Sequence, residues 1–217
     1  MSRIVALVTL SIAFLAAAPL GAAPCAPPTL VHIVTVDVTA GIDSSSFGAQ
    51  PKGLYRIGSD KMRLEEAPRS AKIHETYIVA EPNIWRVNLV NNYGVHSVDP
   101  GPTFNTLAPV FPMRGVSPKL QSLELGCESD FIAEYAPKPV RSERIGDVTF
   151  DVYRVSEGID AVELLERPGT GVPSFARFYR SGILGKTLRY DEYSTNLPAN
   201  PSLFTPPANV NFVEHER

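Results

Sequence analysis

The sequence is poor in the groups that carry most recognisable chemistry: two cysteines, four histidines, three methionines and one tryptophan in 217 residues. His32, His74, His96 and His215 each stand alone. A helix-borne metalloprotease motif needs two histidines one turn apart with a glutamate between them, and His74-Glu75 has no second histidine. Cys25 and Cys127 lie far apart and have no paired histidines beside them, which is not the spacing of a zinc site. No G-x-S-x-G elbow and no glycine loop that would cradle a phosphate after a strand is present. Neither a metal nor a cofactor is therefore expected. Positive charge is also missing as a field, since 20 lysines and arginines face 23 acids for a net charge of −3. The basic residues are scattered singly, whereas a nucleic-acid binder needs a basic stripe and an anionic-membrane binder a polybasic cluster.

One long apolar run exists, and it comes first. Arg3 precedes Ile4 to Leu20, interrupted only by Thr9, Ser11 and Pro19, and the small residues Gly21, Ala22 and Ala23 follow. That order is the layout of an export signal. Its length approaches the roughly 20 apolar residues of a spanning helix, but Pro19 and the small-residue end favour cleavage. The expected organisation is a cleaved signal peptide over 1–23 and a single domain over 24–217, exported or periplasmic, with no transmembrane anchor left after cleavage. Pro24 ahead of Cys25 argues against a lipoprotein signal. In an oxidising compartment Cys25 and Cys127 have two states open to them, a disulfide or two unpaired thiols. Closing a loop of roughly 100 residues would add about 4.7 kcal/mol in the chain-entropy model.

The rest reads as strands. TLVHIVTVDV, Thr29 to Val38, is crowded with β-branched residues that suit a pleated strand. After a Gly/Ser/Pro loop at 40–53, LYRI and KMRLEE flank Gly58, Ser59 and Asp60 as a hairpin. Ile73 to Val79, Ile84 to Leu89 and Val95 to Val98 continue the pattern. In the middle run Trp85, Val87 and Leu89 alternate with Arg86 and Asn88, the period of two expected when one face is dry. Tyr55, Ile57, Met62 and Leu64 are expected to extend that apolar face, although a one-residue slip would send the complementary set inward. Pro100, Pro102, Pro109 and Pro112 make 99–112 a crossing loop, because proline cannot donate to a ladder. Ser117-Pro118 is a helix start, predicting a helix to about Leu125 that stops at Gly126. VTFDVYRV, AVELLER, SFARFYRS and KTLRYDEY then follow at meander spacing, ahead of a proline-rich tail expected to run extended with local turns.

Acid pairs are the remaining route to catalysis. A glycosidase needs two carboxyls at a fixed separation. Glu124 and Glu128 are split by Gly126, and Asp191 and Glu192, adjacent on a strand, point to opposite faces. His96 and Asp99 beside a turn read more readily as a solvated pair than as a site. No catalytic residue is assigned and the chain is not expected to be an enzyme, with a hydrolase lacking a readable motif as the third alternative.

The segments KGLYRIGSDKMRLEE, HETYIVAEPNIWRVNL, GVHSVDPGP, GKTLRYDEY and NPSLFTPPANV, in that order, resemble the periplasmic outer-membrane lipoprotein-sorting proteins, the LolA/LolB-like superfamily, over roughly Thr29 to Val213. The resemblance implies a mainly β (α+β) fold: an unclosed antiparallel half-barrel whose concave side is covered by short helices and loops and receives acyl chains without catalysis. It implies Tyr55, Ile57, Met62, Leu64, Trp85, Val87 and Leu89 as lining. The chain departs from the carriers in having few recognisable lid helices and in Cys25 and Cys127, which match no carrier motif. A lipid-like ligand in an exported carrier is thus the first expectation. A cell-envelope structural or protein-interaction domain with a protein partner is the second.

Overall fold

β-branched and aromatic residues at alternating positions set the architecture, because each strand can bury one face while the other meets solvent or a covering segment. The computed structural model describes residues 25–102 and 106–215. The expected signal peptide at 1–23 lies outside them. Leu30–Asp37 (β1) is followed by Lys52–Ile57 (β2), Lys61–Glu66 (β3), Glu75–Ala80 (β4), Asn83–Asn88 (β5) and Tyr93–Val98 (β6). Two short helices, Pro118–Gln121 (α1) and Glu128–Tyr135 (α2), interrupt the strands. Arg141–Ile145 (β7), Val148–Glu157 (β8), Asp160–Glu166 (β9), Pro173–Arg180 (β10), Ile183–Leu197 (β11) and Asn211–His215 (β12) complete the chain.

All twelve strands join one sheet in the order β12-β6-β5-β4-β3-β2-β1-β11-β10-β9-β8-β7. Pairing is antiparallel except between β12 and β6, which run parallel. The edge strands β7 and β12 do not meet, so the sheet is an unclosed half-barrel, as the family resemblance implies. β11 is the long central stave, pairing with β1 on one side and β10 on the other.

The main core lies between one face of β1 and β8–β11 and the segment that crosses it. Ile33, Val162, Leu164, Ala176 and Phe178 from the sheet meet Phe111, Leu120, Leu123 and Phe131 from that segment. Cys25 and Cys127 are joined in a disulfide. It ties the start of the domain to the helix-bearing crossover.

The helical expectation needs correction. Ser117 caps α1 as expected, its Oγ accepting from the Leu120 N–H at 3.3 Å, but the helix ends at Gln121 rather than near Leu125. Glu124 leaves the helix to bridge Pro109, with the Val110 N–H donating to Leu123 O and the Leu125 N–H to Ala108 O. Gly126, at φ +95°, then turns the chain where an added Cβ would stand 3.1 Å from Pro27. α2 was not expected. Its signals were Glu128 and Asp130, favourable at a helix start, and the buried pair Phe131 and Ile132. β7 and β12 also escaped the sequence reading, the first because RSERI has one apolar residue and the second because it lies in the proline-rich tail. No helix among the described residues is long and apolar enough to cross a membrane, which says nothing about a membrane β-barrel.

Candidate functional site: an apolar hollow under the crossing segment

A three-residue turn decides the geometry of the site. Between β2 and β3 the chain pairs Ile57 with Lys61, and therefore Arg56 with Met62 and Leu54 with Leu64. Residues paired across antiparallel strands share a face. Met62 and Leu64 thus stand beside Leu54 and Arg56, while Tyr55 and Ile57 point the other way.

On the shared face, β1–β3 and β11 form one wall of a hollow of about 290 Å³, and residues 107–112 with Leu125 form the other. Leu54, Met62, Leu64, Val110, Leu125 and Leu188 give it aliphatic walls. The four charged residues in its lining are paired, Lys186 with Asp37 at 3.3 Å and Lys52 with Glu66 at 3.4 Å. Leu107, on the covering segment, is 63 % exposed. The volume of the hollow is near the ~300 Å³ lower end of ligand pockets, which are lined mostly by apolar side chains with a few polar groups.

The covering segment is held in place by a buried ion pair. Arg56 is 1 % exposed and Glu124 4 %, and Arg56 Nη1 stands 2.9 Å from Glu124 Oε2. The guanidinium also donates to the carbonyls of Cys25 and Thr106, each at 2.9 Å, and to that of Leu125 at 3.3 Å. Glu124 Oε2 accepts a further bond from the Ala108 N–H at 2.9 Å. With these donors and acceptors matched, the pair meets the condition under which a buried charge is tolerated. It pins residues 106–108 and 124–125 over the sheet.

The expected lining set divides. Met62 and Leu64 line the hollow. Trp85 and Val87 pair with Ile78 and Thr76, which puts them on the opposite face, and this corrects the expectation of one continuous apolar face. There Trp85 stacks on His96 at 5.3 Å between ring centroids, and Val87 is fully buried. The turn Pro201–Phe204 packs across β3 and β4, with Phe204 buried and the Leu203 carbonyl accepting from Arg63 on that face. Tyr55 and Leu89 line a separate groove of about 460 Å³ whose other walls include His32, Glu65, His74 and Glu75. That groove is larger, and its lining mixes apolar residues with several charged and polar side chains. Ile57 is half-buried and shares the face of Tyr55.

The acids considered from the sequence are engaged separately. Glu124 holds Arg56, whereas Glu128 accepts from Tyr190, Tyr193 and the Gly126 N–H at 3.0, 2.6 and 2.9 Å. Asp191 pairs with Arg189, and Glu192 with His32. His96 meets Glu214 and Asn83, while Asp99 accepts from the Gly101 N–H. Among the described residues no group of three His, Cys, Asp or Glu side chains stands close enough to hold a metal ion.

No protein-family model matches the sequence, and neither does any curated protein. Among solved structures the chain is similar to an uncharacterized conserved protein from Thermus thermophilus, with a TM-score of 0.50 at 12 % identity over 87 % of this chain and 91 % of that one. The likeness is one of fold alone. Weaker similarities reach PNGF-II (TM-score 0.35, 13 % identity, 87 % of this chain) and the Pseudomonas aeruginosa MucA/MucB complex (0.43, 12 %, 85 %). The chain spans 32 % of the length of the first and 58 % of the matched chain of the second.

Proposed function

We propose that this chain is an exported, non-catalytic binding protein or carrier for a lipid-like ligand, taking an acyl chain into the hollow beneath the crossing segment. The observation that carries the reading is an apolar cavity whose lining charges are all paired, between the crossing segment and one face of an unclosed sheet. The resemblance of the segment order to the lipoprotein-sorting superfamily supports the same reading. Burying about 300 Å² of apolar ligand surface would contribute roughly 7 kcal/mol before association costs, enough for binding without a polar anchor.

Leu107 offers a clean test because it lines the hollow while largely exposed, so its replacement leaves the core intact. Leu107→Glu should weaken binding of a fluorescent fatty-acid probe by about tenfold or more, the scale of one lost leucine contact, with an unchanged melting temperature. Native mass spectrometry of protein recovered from the periplasm should show a co-purified acyl species. An empty protein that also ignores the probe would end this reading.

Among the described residues the outer edge of β12 pairs with no further strand, which favours a second reading, a cell-envelope interaction domain. Val213 on that strand is 48 % exposed, and an unpaired edge can accept an extended partner segment. Crosslinking from position 213 should then capture one envelope protein, and a strictly monomeric, adduct-free chain would argue against it.

A further inference from the structure

Five acidic side chains are buried among the described residues: Glu124, Glu128, Asp160, Glu163 and Glu166. Four have partners. Glu124 holds Arg56 and Asp160 holds Arg180. Glu163 is pinned by Arg141, Arg154 and the Tyr179 hydroxyl, and Glu128 by two tyrosines and a backbone amide. Glu166 is different. It is 6 % exposed, and its Oε1 is buried with no hydrogen-bond partner among the described residues.

Glu166 lies at the end of β9, directly opposite Asp151 of β8, so two acids share one patch of sheet. Together with Tyr153 it lines a cavity of about 320 Å³, walled on the other side by Ser129, Ile132 and Ala133 of α2 and by Pro137. This cavity is separate from the apolar hollow, which is lined from β1–β3 and β11. Burial, and secondarily the charge of Asp151, hold the Glu166 carboxyl above its usual range. A buried acid without a counter-charge is a costly arrangement, and here the open space lies beside it.

We propose that the cavity between α2 and the β8–β9 pair binds an organic cation, an ammonium or guanidinium group on a short aliphatic stem, with Glu166 as its counter-ion. The cationic head meets the Glu166 carboxylate, with Asp151 adding negative potential. The Tyr153 ring supplies a cation–π surface, and Ile132, Ala133 and Pro137 receive the stem. Among the described residues no third His, Cys, Asp or Glu side chain stands with the two acids. Neither the apolar hollow nor its ligand enters this assignment, so each proposal can fail without the other.

The test is a titration of the full mature chain with n-butylguanidinium and, in parallel, with N-acetyl-arginine amide, followed by calorimetry and by the NMR shifts of Ser129 and Gly171. Binding is expected, with a loss of roughly 30-fold or more in Glu166→Gln, the scale for removing one partner of a buried charge pair. Ala133→Leu, which narrows the cavity from an exposed position on α2, should also weaken it, and covers the case in which Glu166→Gln folds poorly. Tighter binding of the alkyl compound would indicate a free amine or guanidine as ligand, and tighter binding of the blocked arginine a protein side chain. Absence of binding by both probes at millimolar concentration, or equal binding to parent and both variants, would overturn the assignment.

Discussion

Glu128 shows what a single buried carboxyl does to this fold. It is fully buried without a cation, and burial pushes it up to about 7 even though Tyr193, the backbone amides and Tyr190 all favour its ionised form. The folded protein therefore holds the Glu128 proton more tightly than the unfolded chain does. Its contribution to stability is fully present below the unfolded value of 4.5 and is lost as pH rises through about 7. The span corresponds to roughly 3 kcal/mol. Glu128→Gln stays neutral throughout, so the stability difference between parent and variant in urea should move in the variant's favour by that order between about pH 4.5 and about pH 8. A constant difference across the range would assign the titration elsewhere. Glu163 lies at the opposite extreme: burial raises it, but Arg141, Arg154 and Tyr179 outweigh that and hold it at about 2. Cationic partners separate the two: burial wins at Glu128, which has only neutral hydrogen-bond donors, and loses at Glu163, which has Arg141 and Arg154.

At the scale of elements, the β2–β3 hairpin carries the main lesson. Hydrophobicity favours Tyr55 and Ile57 as the inward pair, because the alternative set contains Arg56. The three-residue turn overrides it, and the spacing Ile57 to Lys61 was visible in the sequence through Gly58, Ser59 and Asp60. What was not visible is Glu124, 68 residues away, which makes a buried Arg56 tolerable. β5 behaves likewise, since its apolar face turns towards the covering tail rather than towards the hollow. Trp85→Ala should therefore lower stability by about 2 kcal/mol, less than the ~3–5 of a fully buried aromatic, and leave fatty-acid probe binding unaltered. A selective loss of probe binding in that variant would return Trp85 to the site. Gly94 is set by close approach: an added Cβ would lie 2.6 Å from the Phe212 ring, so that ring can lie across β6 only because residue 94 has no side chain.

Across the whole molecule, long-range ties close what the meander leaves open. The disulfide spans a sequence separation of 102 and anchors the crossover beside the Arg56 network. Cys25→Ser with Cys127→Ser should destabilise the fold by about 4–5 kcal/mol on the chain-entropy model, read as a lowered urea midpoint that dithiothreitol reproduces in the parent but not in the variant. An unchanged midpoint would mean that the crossover is held without it. The identity of β1–β6 and β8–β11, the proline break after β6, the Ser117 cap and the mainly β class were settled by local pattern, because alternation, proline and capping act over a few residues. The inward face of β2 and β5, the second helix, the parallel strand in the tail and the lone state of Glu166 were settled by tertiary structure. Each depends on which distant segment covers a surface or supplies a counter-charge, and that partner is brought near only when the chain folds.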